Sequence, residues 1–253
     1  MSDRFHDHVT VVTGSASGIG RATALGFARD GARVLVSDVN EAGGAETVRL
    51  IEEAGGTAAF VRCDVSQAAE VAALLDGAVE RWGRLDAVVN NAGVGGTRAA
   101  TADYPDANWD VTMAVNAGGV FYGTKHALRH MVPAGRGSVV NVASVAGLAG
   151  FAGSVAYCAS KHAVIGVTRA AAMEVARQGV TVNAVCPVFT ETPMVEEIRK
   201  YDPKLGDTLE RRIPVGRLGT VEEIAAAILY LCGPDARFLT GLALPLDGGL
   251  TAA

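Results

Sequence analysis

The stretch Thr13-Gly14-Ser15-Ala16-Ser17-Gly18-Ile19-Gly20 separates an apolar run, Val9–Val12, from a helical pattern over Arg21–Arg29. It is a glycine-rich turn between a first strand and a first helix. Gly14 permits a tight turn, Gly18 lets the backbone approach a phosphate, and Gly20 lets helix and strand pack closely. The helix N-terminus directs free N–H groups at a pyrophosphate. A merely flexible turn is the alternative, and no Gly-Lys-Ser/Thr of a triphosphate P-loop is present.

Strand patterns alternate with helical patterns along the rest of the chain. The helix Glu41–Ala54 is one such pattern, and the further strands are predicted at Val34–Ser37, Ala58–Arg62, Ala87–Val89, Val139–Val142, Val182–Val185 and Ala243–Leu246. Near-continuous apolar strands indicate a parallel sheet buried on both faces. The sequence therefore predicts an α/β, single-domain Rossmann fold over residues 1–253, a doubly wound parallel sheet flanked by helices on both faces. Residues Thr190–Arg217 are expected to form a surface excursion within that domain.

Composition narrows the class of protein. Of 253 residues, 49% are hydrophobic and 19% are charged, which is typical of a well-buried core. The net charge of −5 argues against nucleic acid as a partner. The uncharged stretch Gly137–Ser160 is too interrupted by glycine, serine and asparagine to predict a membrane span. The N-terminus lacks the apolar run of a secretion signal.

The four cysteines lie far apart in the sequence, at Cys63, Cys158, Cys186 and Cys232. That spacing predicts neither a disulfide scaffold nor a zinc site. We expect reduced thiols in a cytoplasmic protein that uses no metal.

Asp38 ends the second predicted strand, where a carboxylate can accept hydrogen bonds from the adenosine ribose hydroxyls. A 2′-phosphate at this position would be repelled by about 4 kcal/mol per charge pair at contact, before screening. Neither Ser17 nor Val39 supplies a cation to offset that repulsion. NAD is therefore favoured over NADP, with a solvated strand-end aspartate as the alternative interpretation.

Tyr157 and Lys161 are four residues apart, on one face of a predicted helix. Tyrosine has an ordinary pKa of about 10, and a neighbouring ammonium group favours its phenolate form. Ser144 follows the predicted strand Val139–Val142, at the edge of the sheet where ligands bind in α/β folds.

Taken together, these residues resemble the classical short-chain dehydrogenase/reductase family over nearly the whole chain. The glycine turn matches its Thr-Gly-x-x-x-Gly-x-Gly motif, Asn90-Asn91-Ala92-Gly93 matches its Asn-Asn-Ala-Gly motif, and Tyr157 with Lys161 matches its Tyr-x-x-x-Lys pair. The catalytic residues that the resemblance implies are Asn116, Ser144, Tyr157 and Lys161. The cofactor-binding residues that the glycine turn, Asp38 and the resemblance imply are Gly14, Ser17, Gly18, Ile19, Gly20, Asp38, Asp64, Val65, Asn91, Ala92, Gly93, Tyr157, Lys161, Pro187 and Thr192.

The resemblance also implies a mechanism. Ser144 would hold the substrate oxygen, Tyr157 would transfer the proton, and Lys161 would lower the tyrosine pKa and bind the nicotinamide ribose. Asn116 would support a proton-carrying water chain. Hydride would pass directly between nicotinamide and carbon, so the expected reaction interconverts a secondary alcohol and a ketone with NAD(H).

One position departs from the family pattern. Val188 follows Pro187 where the family usually has glycine, so either the local backbone shifts or Val188 adds an apolar wall near the reacting carbon. The resemblance also implies which parts of the chain surround the substrate: Val94, Gly95, Val145, Leu148, Phe151, Val188, Phe189 and the excursion Thr190–Arg217. A hydrophobic ketone or alcohol is expected there, and ordinary core packing is the alternative for each apolar residue.

The helix pattern over Val155–Ala176 is apolar on almost every face, which predicts a second covering surface and, with the family resemblance, a homotetramer. His162 is interpreted as structural. Two other functions stay open at this point: an NADPH-dependent 3-oxoacyl-[acyl-carrier-protein] reductase, and a catalytically silent nucleotide-binding scaffold.

Overall fold

The strands form one parallel sheet in the computed structural model, which describes residues 4–201, 203–206 and 208–252. Their order across the sheet is β3-β2-β1-β4-β5-β6-β7. The strands are β1 Val9–Thr13, β2 Arg33–Asp38, β3 Thr57–Arg62, β4 Ala87–Asn90, β5 Gly137–Val142, β6 Val180–Pro187 and β7 Ala243–Leu246. All seven were predicted from the sequence, and the doubly wound parallel fold is confirmed.

Helices cover both faces of this sheet. They are α1 Gly18–Arg29, α2 Glu41–Glu53, α3 Ala68–Trp82, α4 Asp106–Met113, α5 Gly119–Ala134, α6 Val155–Val175, α7 Pro193–Tyr201, α8 Pro203–Gly206 and α9 Val221–Cys232. A π-helical turn, Ala114–Gly118, joins α4 to α5. The first helix begins at Gly18 rather than at Arg21, because the glycine turn already supplies its first three residues.

Alternation along each strand builds two hydrophobic layers. Val12 and Val34 point to the layer that contains Phe27 of α1 and Ile228 of α9. Val11, Leu35 and Val88 point to the opposite layer, which is filled from α3, α5 and α6. Since neighbouring side chains on a strand face opposite sides, both faces of each central strand are apolar.

The strand order reverses between β1 and β4, and this reversal fixes the position of the site. Ligands of open α/β sheets bind outside the carboxyl ends of the strands at such a switch point. The residues that end β1, β2, β4, β5 and β6 all meet at this edge.

The predicted excursion Thr190–Arg217 contains α7, α8 and a short 3₁₀ turn, Glu210–Arg212. One side of this segment packs inward. Leu209 and Ile213 are buried, and they pack with Val195 against Val145 and Val188. The inner side of the segment thus covers the carboxyl edge of the sheet.

In the described part of the chain, no helix has both the length and the apolar character needed to cross a bilayer.

Candidate active site

The glycine turn is a close-packed backbone loop. A Cβ on Gly20 would lie 2.1 Å from the carbonyl oxygen of Gly14, and a Cβ on Gly14 would lie 2.7 Å from the Cα of Ala92. Gly14 and Gly18 both have positive φ, at 65° and 53°. Ser17 is the N-cap of α1, yet its side chain makes no capping hydrogen bond. The first N–H groups of α1 therefore face an open site next to Ile19.

Asp38 is bound to this turn. Its Oδ2 accepts a hydrogen bond from the backbone N–H of Ala16 at 3.0 Å, and its Oδ1 accepts one from the N–H of Asn40 at 2.9 Å. Just beyond the end of β3, Asp64 accepts hydrogen bonds from the N–H and Oγ of Ser66 at 2.9 and 2.7 Å. Val65 is buried against Gly119 at the start of α5.

The Asn-Asn-Ala-Gly segment fastens β4 to β1. The Nδ2 of Asn91 donates to the carbonyl oxygens of Thr13 and Gly14, each at 2.9 Å. The N–H groups of Asn91 and Ala92 donate to the Oγ1 of Thr13 at 3.0 and 3.2 Å. Gly93 lies next to two of the predicted catalytic residues. A Cβ on Gly93 would be 3.2 Å from Oδ1 of Asn116 and 3.6 Å from Nζ of Lys161.

Asn116 lies in the π-helical turn, fully buried. Its Oδ1 accepts a hydrogen bond from the N–H of Val94 at 2.8 Å, and its Nδ2 donates to the carbonyl of Val94 at 2.9 Å and to the Oγ of Ser160 at 3.1 Å. A π-bulge re-aims the helix locally and is frequent at functional sites. Asn116 thereby connects α6 to the loop that follows β4.

Ser144, Tyr157 and Lys161 come together beyond β5. The Oγ of Ser144 accepts from the N–H of Ala146 at 3.1 Å and lies 3.4 Å from the carbonyl of Pro187. The Nζ of Lys161 lies 5.6 Å from the centre of the Tyr157 ring and donates to the carbonyl of Val142 at 2.8 Å.

Burial shifts both titratable groups toward their neutral forms. It raises the pKa of Tyr157 above its ordinary value, and a hydrogen bond with Ser144 opposes this shift. Burial lowers the pKa of Lys161 to about 8. Tyr157 is therefore protonated at neutral pH, which is the form that can donate a proton.

The predicted substrate-pocket residues divide into two groups. Val145 and Val188 are buried, and Phe151 and Phe189 pack on the same apolar cluster. Val94 lies outside that cluster and is 36% exposed, as is Leu148 at 37%. Gly95 faces the side chain of Met194, so the loop after β4 and helix α7 form opposite walls.

Val188 adopts an ordinary backbone conformation. Among the described residues, Asp7 is the one non-glycine with positive φ. The N–H of Val188 donates to the carbonyl of Leu246 at 3.1 Å, which holds it in line with β6 and β7. Val188 therefore needs no positive φ, and its side chain joins the apolar cluster that contains Val145.

Thr192 lies opposite the glycine turn. Its Cγ2 would be 3.4 Å from a Cβ on Gly18, and its Oγ1 donates to the carbonyl of Thr190 at 3.1 Å. A cavity of about 280 Å³ opens between them, lined also by Arg21 and Pro193.

Sequence reasoning missed two residues that shape this site. Arg21 follows the glycine motif directly; its Nε donates to Thr47 at 3.0 Å, and its guanidinium also bonds the carbonyl of Ala16, so it ties the turn to α2. Arg98 is the one charged residue between positions 87 and 102. This single charge in a neutral stretch is the sequence feature that could have drawn attention to it.

Comparisons with known proteins agree with this geometry. A family model described as enoyl-(acyl carrier protein) reductase matches residues 14–251. A cis-4-hydroxycyclohexanecarboxylate dehydrogenase from Sinomonas cyclohexanicum is 42% identical over 252 residues, which cover 100% of both chains. The chain belongs to the short-chain dehydrogenase/reductase family.

Two solved structures are similar to this chain over its whole length. A levodione reductase has a TM-score of 0.94 at 36% identity and covers 99% of this chain and 100% of its own. An actinorhodin polyketide ketoreductase with NADPH has a TM-score of 0.94 at 39% identity and covers 100% of each chain. The chain is therefore an oxidoreductase of a family that binds NAD(P).

Proposed function

We propose that this chain interconverts a ketone and a secondary alcohol with NAD(H), with Tyr157 as the proton donor. In reduction, the carbonyl carbon gains a hydride, the carbonyl oxygen gains the hydroxyl proton of Tyr157, and solvent then reprotonates the tyrosine. Oxidation reverses these transfers. The convergence of Ser144, Tyr157 and Lys161 beyond β5 carries this proposal.

Each side chain has a distinct task in this scheme. Ser144 orients the substrate oxygen, because its Oγ lies at the end of β5 beside Pro187. The raised pKa of Tyr157 keeps its hydroxyl protonated until transfer. The ammonium form of Lys161 stabilises the phenolate that remains afterwards. Asn116 positions the loop after β4 and supports proton delivery toward Lys161.

The proposed cofactor site fits a dinucleotide. Open N–H groups at the start of α1 face the proposed position of a pyrophosphate, and the close backbone contacts at Gly14 and Gly20 leave no room for a side chain at those two positions. Bound there, NAD(H) supplies or accepts the hydride. The contacts proposed beyond the turn are with Asp64, Val65, Asn91, Ala92, Gly93, Pro187 and Thr192.

Asp38 supports NAD rather than NADP. Its carboxylate is held by Ala16 and Asn40, next to the position of the adenosine ribose. The nearest basic residue in strand register, Arg62, is paired with Glu70 at 3.3 Å. A 2′-phosphate would therefore meet the negative charge of Asp38 without a free cation from Arg62.

A cyclic ketone or its alcohol is the substrate class that we propose. The similar proteins named for cyclic compounds, the cis-4-hydroxycyclohexanecarboxylate dehydrogenase and levodione reductase, support it. The apolar cluster around Val145 and Val188 supports a hydrophobic ring as well.

A second candidate is NADPH-linked reduction of 3-oxoacyl thioesters. The likeness to a polyketide ketoreductase with NADPH favours it, while Asp38 opposes it.

Initial rates with cyclic ketones and 3-oxoacyl thioesters, each with NADH and NADPH, test both candidates. We expect turnover of cyclic ketones with NADH and a loss of about 10²–10⁴-fold in kcat for Tyr157→Phe. Preferred turnover of thioesters with NADPH would replace the first proposal with the second. Nucleotide binding without turnover of any substrate would instead indicate the silent scaffold.

We further propose a cytoplasmic homotetramer. Two sets of exposed apolar side chains support the assembly: Trp109, Val111 and Phe121 on α4 and α5, and Met173, Tyr230 and Phe238 toward the β7 edge. All four cysteines are free thiols, which agrees with a reducing compartment. Light scattering at micromolar concentration should give the mass of four chains, and a monomer would overturn the assembly.

A further inference from the structure

Arg98 lies on one of two largely neutral walls of the proposed substrate site, and the next charged residue on its own loop is Asp103. The first wall is the loop after β4, where residues 87–102 carry no other charge. The second wall follows β5, and residues 137–160 carry no charge at all. The inward side of the segment that covers them, with Val195, Leu209 and Ile213, is apolar.

Hydrogen bonds fix the backbone of the residues that precede Arg98 in the loop. Val94 is held through both its N–H and its carbonyl by the amide of Asn116. The N–H of Thr97 donates a hydrogen bond to the hydroxyl oxygen of Tyr104 at 3.2 Å, and the Thr97 hydroxyl accepts one from the side-chain amide of Asn108. The loop therefore presents Arg98 from a defined position.

The residue that follows Arg98 is hydrogen-bonded to the second wall. The N–H of Ala99 donates to the carbonyl of Gly153 at 3.1 Å, which joins the loop after β4 to the segment that precedes α6. The Nη2 and Nε of Arg98 lie 3.7 and 4.0 Å from the position of a Cβ on Gly153. Gly153 lies between Ser144 and Tyr157 in the sequence, so the guanidinium lies against the segment that joins these two proposed catalytic residues.

The guanidinium itself is available. Arg98 is exposed, and within residues 4–201, 203–206 and 208–252 it makes no ion pair or side-chain hydrogen bond. A planar guanidinium binds a carboxylate through two parallel hydrogen bonds. Because the backbone is already bonded, the side-chain torsions of Arg98 are what remains to be ordered when such a group arrives.

We infer that Arg98 binds a carboxylate of the substrate, so that the substrate class is an oxo acid or hydroxy acid whose carboxylate is remote from the reacting carbon. This inference rests on the proposed alcohol–ketone chemistry at Tyr157. Ser144 and Tyr157 hold the oxygen to be reduced, Val145 and Val188 contact the apolar body, and Arg98 holds the anionic end.

The test compares 4-oxocyclohexanecarboxylate with its methyl ester and with cyclohexanone. Wild type, Arg98→Gln and Arg98→Lys are assayed for kcat and KM with NADH and with NADPH. Arg177→Gln is the matched control, because Arg177 is an exposed arginine in the turn before β6, at the opposite edge of the sheet. Binding of the oxo acid is measured separately, as the shift in Tm that it causes in the presence of the dinucleotide.

Wild type and Arg177→Gln should prefer the carboxylate over its ester by about tenfold in kcat/KM, equivalent to about 1.4 kcal/mol. Arg98→Gln should lose that preference through KM, and Arg98→Lys should retain part of it. Added salt should weaken the preference in wild type.

Equal use of acid and ester by wild type, or an unchanged preference in Arg98→Gln, overturns the role of Arg98 while leaving the ketone chemistry intact. Absence of turnover for every ketone overturns the proposed function instead. In that case a Tm shift by the oxo acid that Arg98→Gln abolishes still supports carboxylate binding, and a shift that persists in Arg98→Gln contradicts it.

Discussion

The carboxylate of Asp38 accepts a hydrogen bond from the backbone N–H of Ala16 at 3.0 Å, which joins the end of β2 to the glycine turn after β1. One charged group therefore lies beside both the glycine turn, where we propose that the pyrophosphate binds, and the proposed position of the adenosine ribose. Substitutions of Asp38 can separate the effect of its negative charge from the effect of its hydrogen bond to Ala16.

Asp38→Asn and Asp38→Ser should both raise the ratio of kcat/KM with NADPH to that with NADH, by about tenfold, because each removes the charge that repels a 2′-phosphate. Asp38→Asn retains an oxygen that can accept from Ala16, so it should lose less NADH affinity than Asp38→Ser. Paired initial rates with the two cofactors measure both effects. An unchanged ratio in both variants would assign the cofactor preference to other residues.

Gly20→Ala should destabilise the chain by about 1–3 kcal/mol and abolish cofactor binding, because its Cβ would overlap the carbonyl of Gly14. Gly77→Ala is the matched control, since Gly77 lies inside α3 with nothing within 4 Å of a Cβ. That change should stabilise the chain by about 0.5–1 kcal/mol. Urea unfolding and NADH titration measure the two variants, and similar behaviour of both would contradict the close-packing argument.

The sequence was sufficient for the sheet because its strands are short, mostly apolar runs, and the central strands are buried on both faces whereas β3 and β7 are only partly buried. The places of the candidate site residues Gly14, Ser144 and Tyr157 were also predictable, since they belong to motifs at defined positions in such a fold, and their roles stay predictions. Arg98 was not, because its significance depends on the hydrogen bond between Ala99 and Gly153, which joins two segments far apart in the sequence.

The conformation of Val188 was left open by the sequence for a related reason. A β-branched residue disfavours positive φ, but the pattern alone gave no indication of which φ the backbone needs there. The bond from its N–H to Leu246 of β7 decides this, and that pairing follows from the sheet rather than from local sequence.

Val188→Gly should enlarge the proposed substrate site. It removes a buried side chain that packs with Val145 and adds backbone freedom, so the free energy of unfolding should fall by about 2 kcal/mol. Bulkier ketones should gain in kcat/KM relative to cyclohexanone. Val188→Ala, which keeps the backbone restricted, should give the substrate effect with a smaller loss of stability. A loss of stability without any change in relative rates would place Val188 in the core alone.

Asp86→Asn should destabilise the opposite edge of the sheet by about 2 kcal/mol. Asp86 accepts hydrogen bonds from Arg84 at 2.7 and 2.9 Å and from the N–H of Val9 at 2.9 Å. Burial alone would raise the pKa of Asp86, yet these bonds outweigh it and lower the pKa.

The stabilisation by Asp86 is therefore present above its unfolded-state pKa of about 3.9 and is lost as pH falls through the lower folded value. Urea unfolding of wild type and Asp86→Asn at pH 7 and pH 4 should show a difference that persists across this interval and shrinks only at lower pH. A difference already lost at pH 5 would contradict the lowered pKa.

Lys161→Met should abolish activity without a matching loss of stability at neutral pH. Burial lowers the pKa of Lys161 to about 8, whereas its ordinary value is 10.5. Below pH 8 the folded protein thus carries a buried charge that costs about 3 kcal/mol relative to the unfolded chain. Loss of the hydrogen bond to Val142 offsets part of the gain from removing that charge.

Between pH 8 and 10.5 the unfolded chain binds the proton that folded Lys161 releases, so wild type should gain stability relative to Lys161→Met as pH rises. Urea unfolding at pH 7 and pH 10 should show a relative gain of about 2–3 kcal/mol for wild type. Lys125→Met, at an exposed lysine of α5, is the control and should show no such change relative to wild type. Parallel pH dependence of wild type and Lys161→Met would mean that Lys161 keeps its ordinary pKa in the fold, and the ammonium would then be fully available to Tyr157 throughout this range.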